Sequence, residues 1–222
     1  MKKAGFEAGV LWLSMVLAAG LWFVTFSLGG PSFWIKISIS AAILAAVAVR
    51  ERTILKNKLS FDRKAIIQGM VAAAALYVVF WAGREISTIV LPFASGQISS
   101  IYGKGEGFPT TVIFLLLLFV TGPCEEIFWR GYLQRSLMGR FGEWKGFLVT
   151  TFVYAGVHVF SLNFMLIGAA AVAGAFWGLL YMRLGRLDSV IVSHSLWSAV
   201  IFAVAPMRSE EHTSELQSRQ SI

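Results

Sequence analysis

The residues of this 222-residue chain that could do chemistry lie in three short stretches. Glu125, Glu126 and Arg130 occur in PCEEIFWRGYLQ, His158 in FVYAGVHVF, and His194 in VSHSLWSAV. Each is set among aromatic and aliphatic residues. On a helix, adjacent side chains point about 100° apart, whereas residues four apart share a face. Glu126 and Arg130 are therefore an i,i+4 pair with the acid N-terminal, the favourable order, and are expected to form a structural ion pair. Glu125 points elsewhere and is left without a local partner. A carboxylate of that kind inside an apolar segment is a functional group by default. The two histidines, carried on other segments, are its natural partners.

A glutamate and two histidines support more than one chemistry. As a metal set, Glu125, His158 and His194 could hold zinc with one open position, lowering the pKa of bound water to roughly 7. The same groups could activate water without a metal, Glu125 and one imidazole acting as paired bases. They could also relay protons in a transporter or channel. The H-E-x-x-H helix of soluble zinc proteases is absent. The single cysteine, Cys124, excludes an internal disulfide and a multi-cysteine metal site. In apolar surroundings its thiol is expected to be inert. Trp129 reads as core filler or a lipid-facing residue. Gly122-Pro123 removes a helix hydrogen bond just before the acids, which can kink the segment and free carbonyls to line a wet cavity. A hydrolase and a proton channel would both need that water.

The elements that must position these groups are membrane spans. The chain is 57% hydrophobic and 14% charged, with a mean hydropathy of +0.71. A water-soluble fold of this length has too little polar surface for that composition. A bilayer core of roughly 30 Å asks for about 20 apolar residues per helix. The apolar runs predict an all-α, polytopic transmembrane bundle of about seven spans, near 8–28, 33–49, 65–83, 109–134, 145–161, 163–182 and 189–206. Lys2 and Lys3 precede the first run, which is long and lacks an A-x-A-like exit, so it reads as an uncleaved span. The stretch 84–109 is interrupted by Gly96, Gly103, Gly105 and Gly107 and reads as an interfacial helix or outer loop. Gly174 and Gly178 form a G-x-x-x-G where a neighbouring helix can approach closely. No internal repeat suggests a transporter built of two halves.

The formal charge of +7 would suggest nucleic acid in a soluble protein. Here the basic residues gather between apolar runs, which argues for a lipid bilayer as partner and against nucleic acid. Lys2, Lys3, Arg50, Arg52, Lys56, Lys58, Arg63, Lys64, Arg135, Arg140, Lys145, Arg183 and Arg186 fall on one side of the alternating spans. Arg84 and Lys104 fall on the other. The positive-inside rule then predicts a multi-pass protein of the cell membrane with a cytoplasmic N-terminus. From Arg208 the sequence RSEEHTSELQS is wholly unlike what precedes it and is the translation of a common sequencing adapter. Residues 208–222 are accordingly expected not to be native, which sets aside Glu210, Glu211 and His212 as site residues. The transmembrane domain is assigned to residues 1–207, with a motif-bearing core at about 110–206.

These motifs resemble those of the CAAX-protease and bacteriocin-processing family of intramembrane endopeptidases, also called Abi or CAAX prenyl endopeptidase-like proteins. Glu125-Glu126-x-x-x-Arg130 matches the family's E-E-x-x-x-R. Tyr154-x-x-x-His158 is similar to its F-x-x-x-H, with a hydroxyl added to the aromatic ring. His194-x-x-x-Ser198 matches the third motif in part, since family members usually carry Asn at the fourth position. The resemblance implies hydrolysis of a peptide bond at the membrane, in a cavity reached from the cytoplasmic side. It implies that Glu125 activates water beside His158, and that His194 and Ser198 stabilise the oxyanion. Its partner would be a peptide or protein substrate. A catalytically silent immunity or scaffold protein of the same fold, and a proton-coupled transporter, are the alternatives.

Overall fold

The computed structural model describes residues 2–30, 32–51 and 59–207. The adapter-like stretch 208–222, with Glu210, Glu211 and His212, lies outside the described residues, as do Arg52, Lys56 and Lys58. In hydrocarbon every backbone N–H and C=O must find its partner within the chain, which a helix does segment by segment. The described residues accordingly form helices and no strand: α1 (Lys2–Ser27), α2 (Phe33–Arg50), α3 (Arg63–Val90), α4 (Ala94–Gly103), α5 (Thr110–Phe141), α6 (Glu143–Val157), α7 (Phe164–Leu184) and α8 (Leu187–Val204). The protein is an all-α polytopic helical bundle.

Local sequence sets several helix ends. Asp62 caps α3 by accepting from the Ala65 N–H at 2.8 Å, and Asn163 caps α7 by accepting from the Leu166 N–H at 2.9 Å. Gly185, at φ +63°, ends α7 in the left-handed conformation that suits glycine. α3 runs past the expected boundary at residue 83 to Val90, and the remainder of the interrupted stretch forms the short α4. Arg84 is thereby kept inside a helix, where it pairs with Glu85.

Six of the helices are long and apolar enough to cross a membrane: those over Gly9–Ser27, Phe33–Arg50, Arg63–Val90, Thr110–Phe141, Phe164–Leu184 and Leu187–Val204. The expected span at 145–161 falls short, because the α-helix α6 has 15 residues. It continues through a 3-10 turn, His158–Ser161. At about 1.5 Å per α residue and about 2.0 Å per 3-10 residue, the two together still reach roughly 30 Å.

The bundle has two distinct ends. At one, the Arg186 guanidinium meets Asp188 at 2.7 Å, Asp62 at 3.0 Å and the Ser60 hydroxyl at 3.0 Å, locking the start of α3 to the α7–α8 turn. At the other lies α4, where the Asn163 amide donates to the Gln97 carbonyl at 2.9 Å and the Tyr102 hydroxyl accepts from the Met207 N–H at 3.0 Å. α7 runs from the α4 end to the Arg186 end. α6 runs antiparallel to α7, with Phe147 beside Gly178 and Tyr154 beside Gly174.

Two apolar clusters fill the interior. One gathers Trp22, Leu44, Phe128, Trp129 and Leu133 from α1, α2 and α5, and the other Leu76, Trp177, Leu187, Val190 and Trp197 from α3, α7 and α8. Trp129 is fully buried, so it is core and not lipid-facing. Ser38 and Thr121 hydrogen-bond across α2 and α5 at 2.9 Å. Leu13, Val71, Ile89 and Phe152 are exposed, as outward side chains must be when the surrounding solvent is lipid.

Candidate active site

The site is built around a break in the regularity of α5. Pro123 has no N–H to give and its ring crowds the preceding turn. The helix absorbs this with π-helical turns over Leu117–Thr121 and Ile127–Gln134, on either side of the α-helical turn Gly122–Glu126. Such bulges occur frequently at functional sites. The helix therefore stays continuous through Phe141. Gly122 is required on the same turn, since a Cβ there would fall 2.5 Å from the Ser195 hydroxyl and 2.8 Å from its Cα. α8 consequently packs close against the acidic turn.

Glu125, Glu126, Arg130, His158, His194 and Ser198 are all buried. Arg130 donates to Glu126 Oε1 at 2.8 Å, the i,i+4 pair expected from the sequence, and also to the Gly174 carbonyl at 3.0 Å. His194 does not pair with Glu125 as expected. Its Nδ1 lies 2.6 Å from the same Glu126 Oε1. Glu126 thus joins Arg130 to His194, and its second oxygen has no partner among the described residues. The His194 ring is stacked on Trp177, with centroids 3.7 Å apart and planes 17° apart. Pinned on its face and at Nδ1, the ring keeps Nε2 as the nitrogen left to act.

Glu125 accepts from the Tyr154 hydroxyl at 3.1 Å. The hydroxyl that departs from the motif's phenylalanine therefore orients the candidate base. Gly174 makes room for that ring: a Cβ there would fall 2.8 Å from Tyr154 Cδ1. The Arg130 guanidinium lies 4.9 Å from the Tyr154 ring centroid. His158 Nδ1 lies 2.7 Å from the Tyr154 carbonyl oxygen. A carbonyl only accepts, so Nδ1 carries the proton and Nε2 has the lone pair. Trp22 Nε1 donates to that Nε2 at 3.4 Å.

Glu125, His158, His194 and Ser198 share the lining of one cavity of about 460 Å³, with Tyr154 and Trp177. Aromatic side chains from most of the bundle, among them Phe26, Phe33, Trp34, Phe80 and Trp197, form the rest of its wall. Cys124 is half-buried and does not line it. Among the described residues no group of three His, Cys, Asp or Glu is gathered to hold a metal ion. His158 is engaged at both nitrogens and His194 at Nδ1.

The partners Tyr154, Trp177 and Trp22 extend the site beyond what sequence spacing reveals. Tyr154 carried a signal, being the aromatic residue of the second motif. Trp22 and Trp177 are reached only through packing of α1 and α7, and no local pattern marks them.

The fold and this centre define a multi-pass membrane protein with two glutamates and two histidines gathered at one buried, aromatic cavity. Residues 107–200 match the family model described as type II CAAX prenyl endopeptidase Rce1-like. The match covers α5 to most of α8 and all three motifs, so this part of the chain is similar to that family. No curated protein and no solved structure matches the chain.

Proposed function

We propose that the protein is an intramembrane endopeptidase in which Glu125 activates the water that attacks a peptide carbonyl. The observation that carries this reading is a carboxylate held by a single donor, Tyr154, in the wall of a cavity that also presents His158, His194 and Ser198. Glu125 takes a proton from water as the oxygen attacks, and that proton passes to the leaving amine as the C–N bond breaks. His158 lies on the same wall, and its Nε2 could share the proton only in place of the Trp22 N–H that it accepts at 3.4 Å. The Ser198 hydroxyl can donate to the developing oxyanion, and His194, when protonated on both nitrogens, would donate to it from Nε2 while Nδ1 donates to Glu126, which Arg130 braces. Glu126 is on this reading a positioning residue as well as half of an ion pair.

The cell membrane is the proposed location, with the N-terminus in the cytoplasm as the distribution of basic residues favours. A catalytically silent immunity or scaffold role is favoured by one observation, Ser198 in the place of the usual asparagine.

The purified protein in liposomes should cleave an apolar peptide and should carry no proton-linked flux. Activity should persist after chelator treatment. Flux without cleavage would replace the protease with a transporter. Loss of cleavage on chelation, restored by zinc, would replace the metal-free route with the zinc route.

A further inference from the structure

We propose that Trp22, on α1, is a positioning residue of the candidate site, holding the His158 ring so that its Nε2 lone pair is kept in one fixed place. For the reaction it serves, the proposal rests on the protease reading. Its residue lies outside the segment 107–200 that matches the family model.

His158 stands where α6 gives way to the 3-10 turn His158–Ser161. Its Nδ1 donates to the Tyr154 carbonyl at 2.7 Å. One hydrogen bond leaves the imidazole free to swing about that contact. Trp22 removes the freedom, because its Nε1–H donates to Nε2, across the ring, at 3.4 Å. With Nδ1 donating and Nε2 accepting, the ring is set in one tautomer as well as one plane. The Trp22 bond is at the long end for a hydrogen bond, so a reacting water can take its place at little cost. Trp22 therefore orders the lone pair before the water arrives and competes weakly with it afterwards.

The indole is itself locked in place. Fully buried, it stands edge-on to Trp129, with centroids 5.9 Å apart and planes 86° apart. Trp129 stands edge-on to Tyr154 in turn, at 5.1 Å and 88°. Tyr154 is the residue whose hydroxyl donates to Glu125 and whose carbonyl accepts from His158. α1 thus reaches His158 through an N–H, and the partner of Glu125 through two packed rings. Trp22 does not line the cavity, so it acts through His158.

Two replacements separate the N–H from the ring. Benzothienylalanine, inserted at position 22 by nonsense suppression, keeps both fused rings and puts sulfur in place of the N–H. Trp22→Phe removes the N–H and one of the rings. The His158 nitrogens are read by nitrogen NMR of histidine-labelled protein, their signals identified by their loss in His158→Gln. In the parent, Nδ1 should carry the proton and Nε2 should show the shift of an accepting nitrogen. With the isostere, Nε2 should move to the value of a free lone pair while Nδ1 stays. An unmoved Nε2 signal overturns the hydrogen bond, whatever the protein cleaves. In peptide cleavage, both variants should lose about tenfold in kcat at unchanged KM, the size of one lost hydrogen bond. An isostere that keeps the parent's kcat, whether or not it melts earlier, makes Trp22 a core residue only and overturns the positioning role. The NMR readout needs no turnover, so failure of Glu125 as the base would strike the protease reading and leave the Trp22–His158 contact standing.

Discussion

Oε1 of Glu126 takes both the Arg130 guanidinium and the His194 ring, at 2.8 and 2.6 Å, deep in the protein interior. Removing one partner from such a buried set leaves an uncompensated charge, a cost of about 3–5 kcal/mol. Arg130→Met should therefore lower the thermal midpoint in detergent sharply, and Glu126→Gln on top of it should recover part of the loss. A second mutation that adds fully to the first would contradict the pairing. Ser198 poses a finer question. Its hydroxyl is shorter than an asparagine amide and rotates, so it donates less reliably to an oxyanion. Ser198→Asn should raise the turnover number of the purified protein, and unchanged or lower turnover would remove Ser198 from the reacting groups.

At the scale of helices, the site depends on close approach. α7 offers the carbonyls of Gly174 to Arg130 at 3.0 Å and of Gly178 to Gln134 at 2.8 Å, which bulkier residues would hold away. The G-x-x-x-G thus positions the charged helix as well as packing against it. Gly174→Ala would put a Cβ 2.8 Å from the Tyr154 ring, and overpacking of this kind costs about 1–3 kcal/mol. The ring must move, and its hydroxyl with it. Melting temperature and turnover should fall together. A stable variant with full turnover would show that Tyr154 does not need its present place. Pro123 acts at this scale too, and differently from the simple kink that a missing hydrogen bond suggests. The two π segments let α5 stay continuous, so Glu125 is aimed by a bulge.

At the scale of the whole molecule, the sequence was most legible where periodicity and hydrophobic length decide the outcome. The all-α bundle, the Glu126–Arg130 pair and the burial of Glu125, His158 and His194 were all readable from residue spacing within single segments. What was hidden depends on packing between segments. Adjacent glutamates on a helix say which way each points, but not that His194 on α8 would arrive at Glu126 or that Tyr154 would reach Glu125. The expected span at 145–161 is not among the six helices long and apolar enough to cross, because its α-helix stops after 15 residues. The proposed chemistry turns on the division of labour between the two glutamates, with Glu125 as base and Glu126 as brace. Its most direct test is peptide cleavage by purified Glu125→Gln protein, with its melting curve recorded beside the parent's. The expected result is a folded protein with no detectable turnover, and a folded Glu125→Gln variant that cleaves at the parent's rate would contradict that assignment.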